Sequence, residues 1–168
     1  KETKLKGVSI GDWGRQNRYS FLKRIMIKTG SKIVMTAHHA NDQVETILMN
    51  FSRGSGILGL RGIGKEDNFL IRPFLSYKKA DIIHFSRRIG FKFRNDFTNN
   101  DLSITRNFIR HKVIKPWENE MQFIVKGFEK SVSFIKEWQL ALDHLIINFI
   151  ISEIDISSNR FSIKIDIH

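Results

Sequence analysis

Residues 36 to 48, TAHHANDQVETIL, gather two histidines, two carboxylates and two threonines where an apolar stretch changes period. Asp42, Glu45 and Thr46 lie three and four residues apart, so on a helix they share one face over the first turn and a half. His39 precedes that face directly. A helix start adds free backbone N–H groups and the positive end of the dipole. Hard carboxylate oxygens in that setting suit either Mg²⁺ held against phosphates or an ammonium group. The plainer reading is that Asp42 caps the helix, that Glu45 is its capping-box partner, and that the histidines are ordinary strand-end residues.

Those residues need a strand before them and a helix after them. KIVMTA is short and continuously apolar, as expected of a central parallel strand covered on both faces. Such a strand would deliver His38 and His39 to the carboxyl edge of the sheet, where open α/β folds place ligands. NDQVETILMNFSR reads as a helix for which Asn41 or Asp42 is a suitable cap. Upstream, RYSFLKRIMIKTG reads as a helix burying Phe21, Leu22, Ile25 and Met26 and stopped by Gly30. Downstream come a glycine-rich loop, GSGILGLRGIG, an extended segment, FLIRPFL, and an amphipathic helix, KKADIIHFSRRIG. Gly54, Gly56 and Gly59 permit tight turns; a phosphate cradle is disfavoured because no Lys-Ser/Thr follows. LSITRNFIRHKVIKPW reads as a basic helix ending before Pro116. Strand and helix alternate, which predicts an α/β core.

After Trp117 the pattern changes to one or two long helices and an alternating tail, FSIKIDI, expected to be a half-buried strand. The charge changes at the same place. Residues 1 to 116 carry 23 Lys/Arg against 9 Asp/Glu, whereas residues 117 to 168 carry 5 against 8. The expected division is therefore residues 1–116 and a helical extension, 117–168. A basic first part favours a polyanionic partner, nucleic acid foremost, against the alternative of simple solubility charge. There is no cysteine, which excludes disulfides and thiolate chemistry. No apolar run is long enough to span a membrane and no signal-peptide pattern opens the chain, so a cytoplasmic protein is expected.

Several segments in order carry a resemblance. His39, Asp42, Glu45 and Thr46 form H-x-x-D-x-x-E-T, and RGSGILGLRG follows at once. GRQNRY at residues 14 to 19, LIRPFL, and NDFTNNDLSITRNFIRHKVIKP continue the series. Together they resemble the tRNA(Ile)-lysidine synthetases, a branch of the PP-loop ATP pyrophosphatases, from about residue 12 to 116. Gly14 stands where that family usually has alanine and Phe97 where it has proline.

The resemblance implies an incomplete parallel-sheet core of the adenine nucleotide alpha hydrolase type, followed by a mainly helical segment. It implies ATP and Mg²⁺ as cofactors, and free L-lysine and the CAU-anticodon tRNA(Ile) as partners. The wobble cytidine would attack the α-phosphate of ATP, and the lysine ε-amine would then displace AMP to give lysidine. By position, Arg15, His39 and Asp42 would lie at the nucleotide, with Asp42 at the metal. Asp42 and Glu45 would counter the lysine charge, with Thr46 in support. Arg53, Arg106, Asn107 and Arg110 would address the tRNA; the alternative for Arg110 and Lys112 is a solvated basic face.

The family's S-G-G-x-D-S nucleotide loop does not occur in these residues. A segment lacking it is expected neither to hold ATP nor to release pyrophosphate, and leaves the strand at residues 33 to 38 with an unpaired edge. Two further readings follow from the same residues: a non-catalytic tRNA-binding module, and another PP-loop tRNA-modifying enzyme such as a thiolase. Whether the chain forms a homodimer is left open, including through residues 117–168.

Overall fold

A computed structural model of the chain describes residues 10–93 and 97–153. The order is α1 (Ile10–Lys28), β1 (Val34–Met35), α2 (Ala40–Ser52), α3 (Ile57–Leu60), β2 (Glu66–Asp67), β3 (Leu70–Ile71) and α4 (Lys79–Arg88). A 3-10 turn (Phe97–Asn100), α5 (Thr105–Phe108), a π-helical segment (Ile109–Ile114), α6 (Lys115–Glu120) and α7 (Ile124–Glu153) follow. The α/β class expected from the alternation is present.

The sheet has three short strands in the order β1-β3-β2. β1 and β3 run parallel, Val34 opposite Leu70 and Met35 opposite Ile71, whereas β2 and β3 pair antiparallel. Asn68, at φ 51°, makes the tight turn between β2 and β3, a left-handed conformation that asparagine tolerates better than most residues. The hairpin was not legible as one because neither strand exceeds two residues. β1 is a sheet edge among the described residues, not a central strand covered on both faces, and Met35 is 67% exposed.

α1 starts earlier than the sequence suggested, at Ile10, and Gly30 ends it at φ 67°. Leu22 and Met26 are half-buried, but Phe21 and Ile25, expected in the core, are exposed. The packed core lies instead around α2: Ala40 and Val44 meet Ile109 and Ile114 from the π-helical segment, and Ile124 and Val125 from the start of α7. α7 is one helix. Its side chains at 124, 125, 128, 132 and 135 are covered, whereas Trp138 is 70% exposed. The expected strand FSIKIDI lies outside the described residues.

The helix carrying TRNFIRHKVIKP does not stop before Pro116. α5, the π-helical segment and α6 run on without a break to Glu120. The Lys115 N–H reaches back to the Arg110 carbonyl, one residue further than in an α-helix. Pro116 then falls in the first turn of α6, directly after this wider turn. The π-helical segment thus absorbs the proline that the sequence rule treats as a stop.

Candidate active site

The chain enters α2 through a capping box that differs from the expected one. His39, not Asn41 or Asp42, is the N-cap: its Nδ1 accepts the Asp42 N–H at 3.2 Å, and Asp42 Oδ2 accepts the His39 N–H at 2.9 Å. Nδ1 accepts, so the ring proton sits on Nε2. The 3.2 Å approach of Nδ1 to Asp42 Oδ2 is then cap geometry rather than an ion pair. Burial, opposed by Asp42, pushes the His39 pKa below its ordinary value, which keeps the ring neutral and the cap intact. His38 is depressed for the same first reason, and its Nδ1 lies 2.9 Å from Thr36 Oγ1.

One helical turn further, Glu45 is 1% exposed. An isolated carboxylate there would be prohibitively costly. Two arginines from the helix opposite supply the compensation. Arg106 Nε donates to Glu45 Oε2 at 2.6 Å, while Arg110 donates from Nε to Oε1 at 2.6 Å and from Nη2 to Oε2 at 2.9 Å. Arg106 Nη2 also donates to Asp42 Oδ1 at 2.9 Å, with Arg110 Nη2 at 3.7 Å from the same atom. Asp42 and Glu45 are three apart on α2, and Arg106 and Arg110 four apart on their helix, so the two faces meet as two carboxylates against two guanidiniums. The formal charges cancel. Donating its hydrogen bonds to Glu45 raises the Arg110 pKa, so the guanidinium stays charged.

Asp42 has a second neighbourhood. It lines a cavity of about 250 Å³ with Arg18, Tyr19, Leu22, Thr36, Ala37 and His38, beside the carboxyl end of β1. The Arg15 guanidinium lies 5.1 Å from the Tyr19 ring centroid. Sites that enclose a small-molecule ligand run to ~300–1,000 Å³, so this cavity would take part of a nucleotide. Its cationic wall suits a phosphate. A protein-held Mg²⁺ does not fit as the residues stand: both Asp42 oxygens accept hydrogen bonds and Glu45 is sealed by arginine. Among the described residues no three His, Asp or Glu side chains are grouped to hold a metal ion.

Residues 1–117 match the family described as the PP-loop domain. The chain belongs to that family. Of individual relatives, the tRNA(Ile)-lysidine synthase of Thermotoga sp. is 35% identical over 144 residues, covering 86% of this chain and 33% of the relative. The synthase of Thermosipho africanus is 41% identical over 114 residues, 68% of this chain and 26% of its own length. That of Lactiplantibacillus plantarum is 42% identical over 105 residues, 60% and 23% respectively. The PP-loop chain thus spans at most about a third of these relatives' length.

Within the PP-loop domain the sequence-predicted residues divide. His39, Asp42, Glu45, Arg106 and Arg110 are brought together; Thr46 is half-buried one residue beyond Glu45. Arg15 reaches the cavity side, where its charge acts on His38. Arg53 is not brought in: it is exposed at the far end of α2, ~12 Å along the helix from Glu45. Asn107 does not face outward as expected but is buried, donating at 2.9 Å to the Thr98 and Asp101 carbonyls. It braces the turn ahead of α5. The arginines expected to face RNA are largely turned onto the carboxylates, their side chains 30% and 22% exposed.

Two buried polar residues near the site escaped sequence reasoning. Gln43 is buried, its amide accepting the Ile63 N–H and donating to the Ile63 carbonyl at 3.1 Å. A Cβ on Gly62, which has φ 63°, would lie 2.6 Å from Gln43 Oε1. This is why the glycine-rich loop needs its glycine there. Arg72, 2% exposed, donates from Nη1 to the Gly64 carbonyl at 2.7 Å. An arginine inside the apolar run FLIRPFL was the available signal. His38, expected at the carboxyl edge of the sheet, lines the cavity there.

Proposed function

We propose that this PP-loop domain serves ATP-dependent modification of tRNA: activation of the wobble cytidine of the CAU-anticodon tRNA(Ile) and its joining to free L-lysine. The observation that carries this reading is the position of Asp42. Among the described residues it is the one carboxylate that lines the cavity at the sheet edge and also contacts the arginine pair. A reaction that must bring a nucleotide, an amine and an RNA base together needs such a shared wall, because positioning supplies most of the rate. ATP, when bound, supplies the adenylyl group, and pyrophosphate leaves as the cytidine oxygen attacks.

The chain's own residues divide the work. Arg18, which lines the cavity, and Arg15, stacked on Tyr19 behind it, offset phosphate charge. Neutral His39 fixes the Asp42 carboxylate through the cap. Asp42 accepts the ammonium of the incoming lysine, exchanging it for part of its bond to Arg106. Arg106 and Arg110, aimed by Glu45, meet phosphate or base edges of the tRNA. The names of the relatives support the substrate assignment.

A second reading, an RNA-binding module without its own chemistry, is favoured by the cancellation of charge between the two carboxylates and the two arginines. One experiment separates the two. Residues 12–116 would replace the matching segment of the Thermotoga sp. synthase, and nucleosides from a CAU-anticodon tRNA(Ile) incubated with ATP, Mg²⁺ and lysine would be analysed by mass spectrometry. Lysidine is expected, and Asp42→Asn in the chimera should abolish it while tRNA affinity stays within a few-fold. A folded chimera that binds tRNA and yields no lysidine would leave only the module.

A further inference from the structure

We propose that the outer side of α4, with the segment that follows it, is a docking surface for single-stranded RNA, its bases stacking on Phe85 and Phe91 and its phosphates meeting Arg87, Arg88 and Lys92. The surface lies outside the candidate site. It deepens the reading of the substrate as RNA and rests on it.

α4 is only weakly committed to the core. None of its residues is buried; Ile82, Ile83 and Ser86 are half-covered. At 100° per residue these three share one side of the helix and place Arg88 on the opposite side. Phe85 is 53% exposed, and the Arg88 guanidinium lies 5.6 Å from its ring centroid. An aromatic ring away from the covered side, with an arginine over it, contributes little to packing. Gly90, at φ 70°, then stops the helix, and Phe91 and Phe93 follow, 64% and 43% exposed, on either side of Lys92. From residue 78 to 93 there are five Lys/Arg and one acid, Asp81.

Interleaved cations and exposed rings match a single strand, because every base has a face to stack and every linkage a negative charge. A duplex does not use the rings, since its bases are already stacked and its deep groove is closed to side chains. An anionic membrane would use both, but a helix lying in a membrane surface presents one continuous apolar face. In α4 the isoleucines turn towards the protein and the arginine sits with the exposed ring.

Fluorescence anisotropy with a short labelled oligouridine, a labelled RNA duplex and the full chain tests this. Replacing both rings (Phe85→Ala with Phe91→Ala) should weaken oligouridine binding about tenfold or more, leave duplex binding within twofold, and leave the thermal melt unchanged. Phe85→Trp with Phe91→Trp should restore the affinity, which a folding defect would not allow. Arg88→Gln should lower the log–log salt slope by somewhat under one.

Oligouridine affinity unchanged in the double alanine variant would overturn the proposal, as would parallel losses for single strand and duplex. Phe85-dependent binding to phosphatidylserine vesicles without such dependence for RNA would replace it with a membrane surface. The probe lacks the CAU anticodon and needs no ATP or lysine, so the two readings fail separately. Lysidine formation by the chimera with no oligouridine binding by the chain overturns this surface alone; ring-dependent binding without lysidine upholds the surface and removes the reaction.

Discussion

The side of α2 that faces α5 and the region around α1 and β1 invert the usual fates of charged and apolar residues. At α2, even two carboxylates and two arginines are drawn into the packed interface. At α1 and β1, Phe21, Ile25, Ile33 and Met35 are exposed among the described residues. Buried charge is tolerable only when every partner is in place, and Glu45 has three donors within 2.9 Å. Exposed apolar groups impose no such condition. The difference teaches that stability here is concentrated around α2, and that the ionic cluster is part of the structure before it is part of any reaction.

The sharpest way to break that comparison is to remove the keystone. Glu45→Ala strands two guanidiniums beside Asp42 and should cost about 3–5 kcal/mol, read from the urea midpoint; a loss below about 1 kcal/mol would mean that the cluster is solvated. Next in size is Gly62→Ala. At φ 63°, with a Cβ 2.6 Å from Gln43 Oε1, it should cost about 1–3 kcal/mol, and Gln43→Ala in the same chain should recover part of it.

The dependence on pH sharpens the picture at a smaller scale. His38 and His39 have native pKa values below the ordinary 6.5. As pH falls through that value the unfolded chain binds protons that the native chain refuses, so stability falls; above it their contribution is flat. His39→Asn, which keeps a capping acceptor for the Asp42 N–H, should flatten that part of the slope in urea titrations on either side of the value. The smallest effect is expected on the other side of the molecule. Phe21→Ser should change stability by less than about 0.5 kcal/mol, and a loss as large as that of Glu45→Ala would abolish the contrast between the two regions.

Much of the framework was legible because it depends on local rules. The glycines at 30 and 90 end helices in the left-handed conformation that their sequence position suggested. His39, Asp42 and Glu45 could be placed at a helix start by spacing alone. What was not legible depends on partners distant in sequence. Spacing puts Asp42 and Glu45 on one face but does not reveal that Arg106 and Arg110, more than sixty residues later, meet them. Arginines therefore read as RNA contacts and carboxylates as lysine or metal contacts, when each set is the other's first partner. Pro116 misled for a related reason, since a π-helical turn that accommodates a proline has no sequence signature of its own. Phe21 and Ile25 have the periodicity of a buried face, and periodicity reports what a face could pack against rather than what covers it.

The claim that the carboxylates and arginines form one coupled unit is tested most directly by a double-mutant cycle. Urea denaturation of Glu45→Gln, Arg110→Gln and the double variant gives the coupling between the two side chains. A coupling of about 2 kcal/mol or more is expected, with the double variant more stable than the sum of the single losses predicts, because removing both partners leaves no stranded charge. Losses that add to within about 0.5 kcal/mol would show that Glu45 and Arg110 act independently, and the cluster would no longer explain how this site is held.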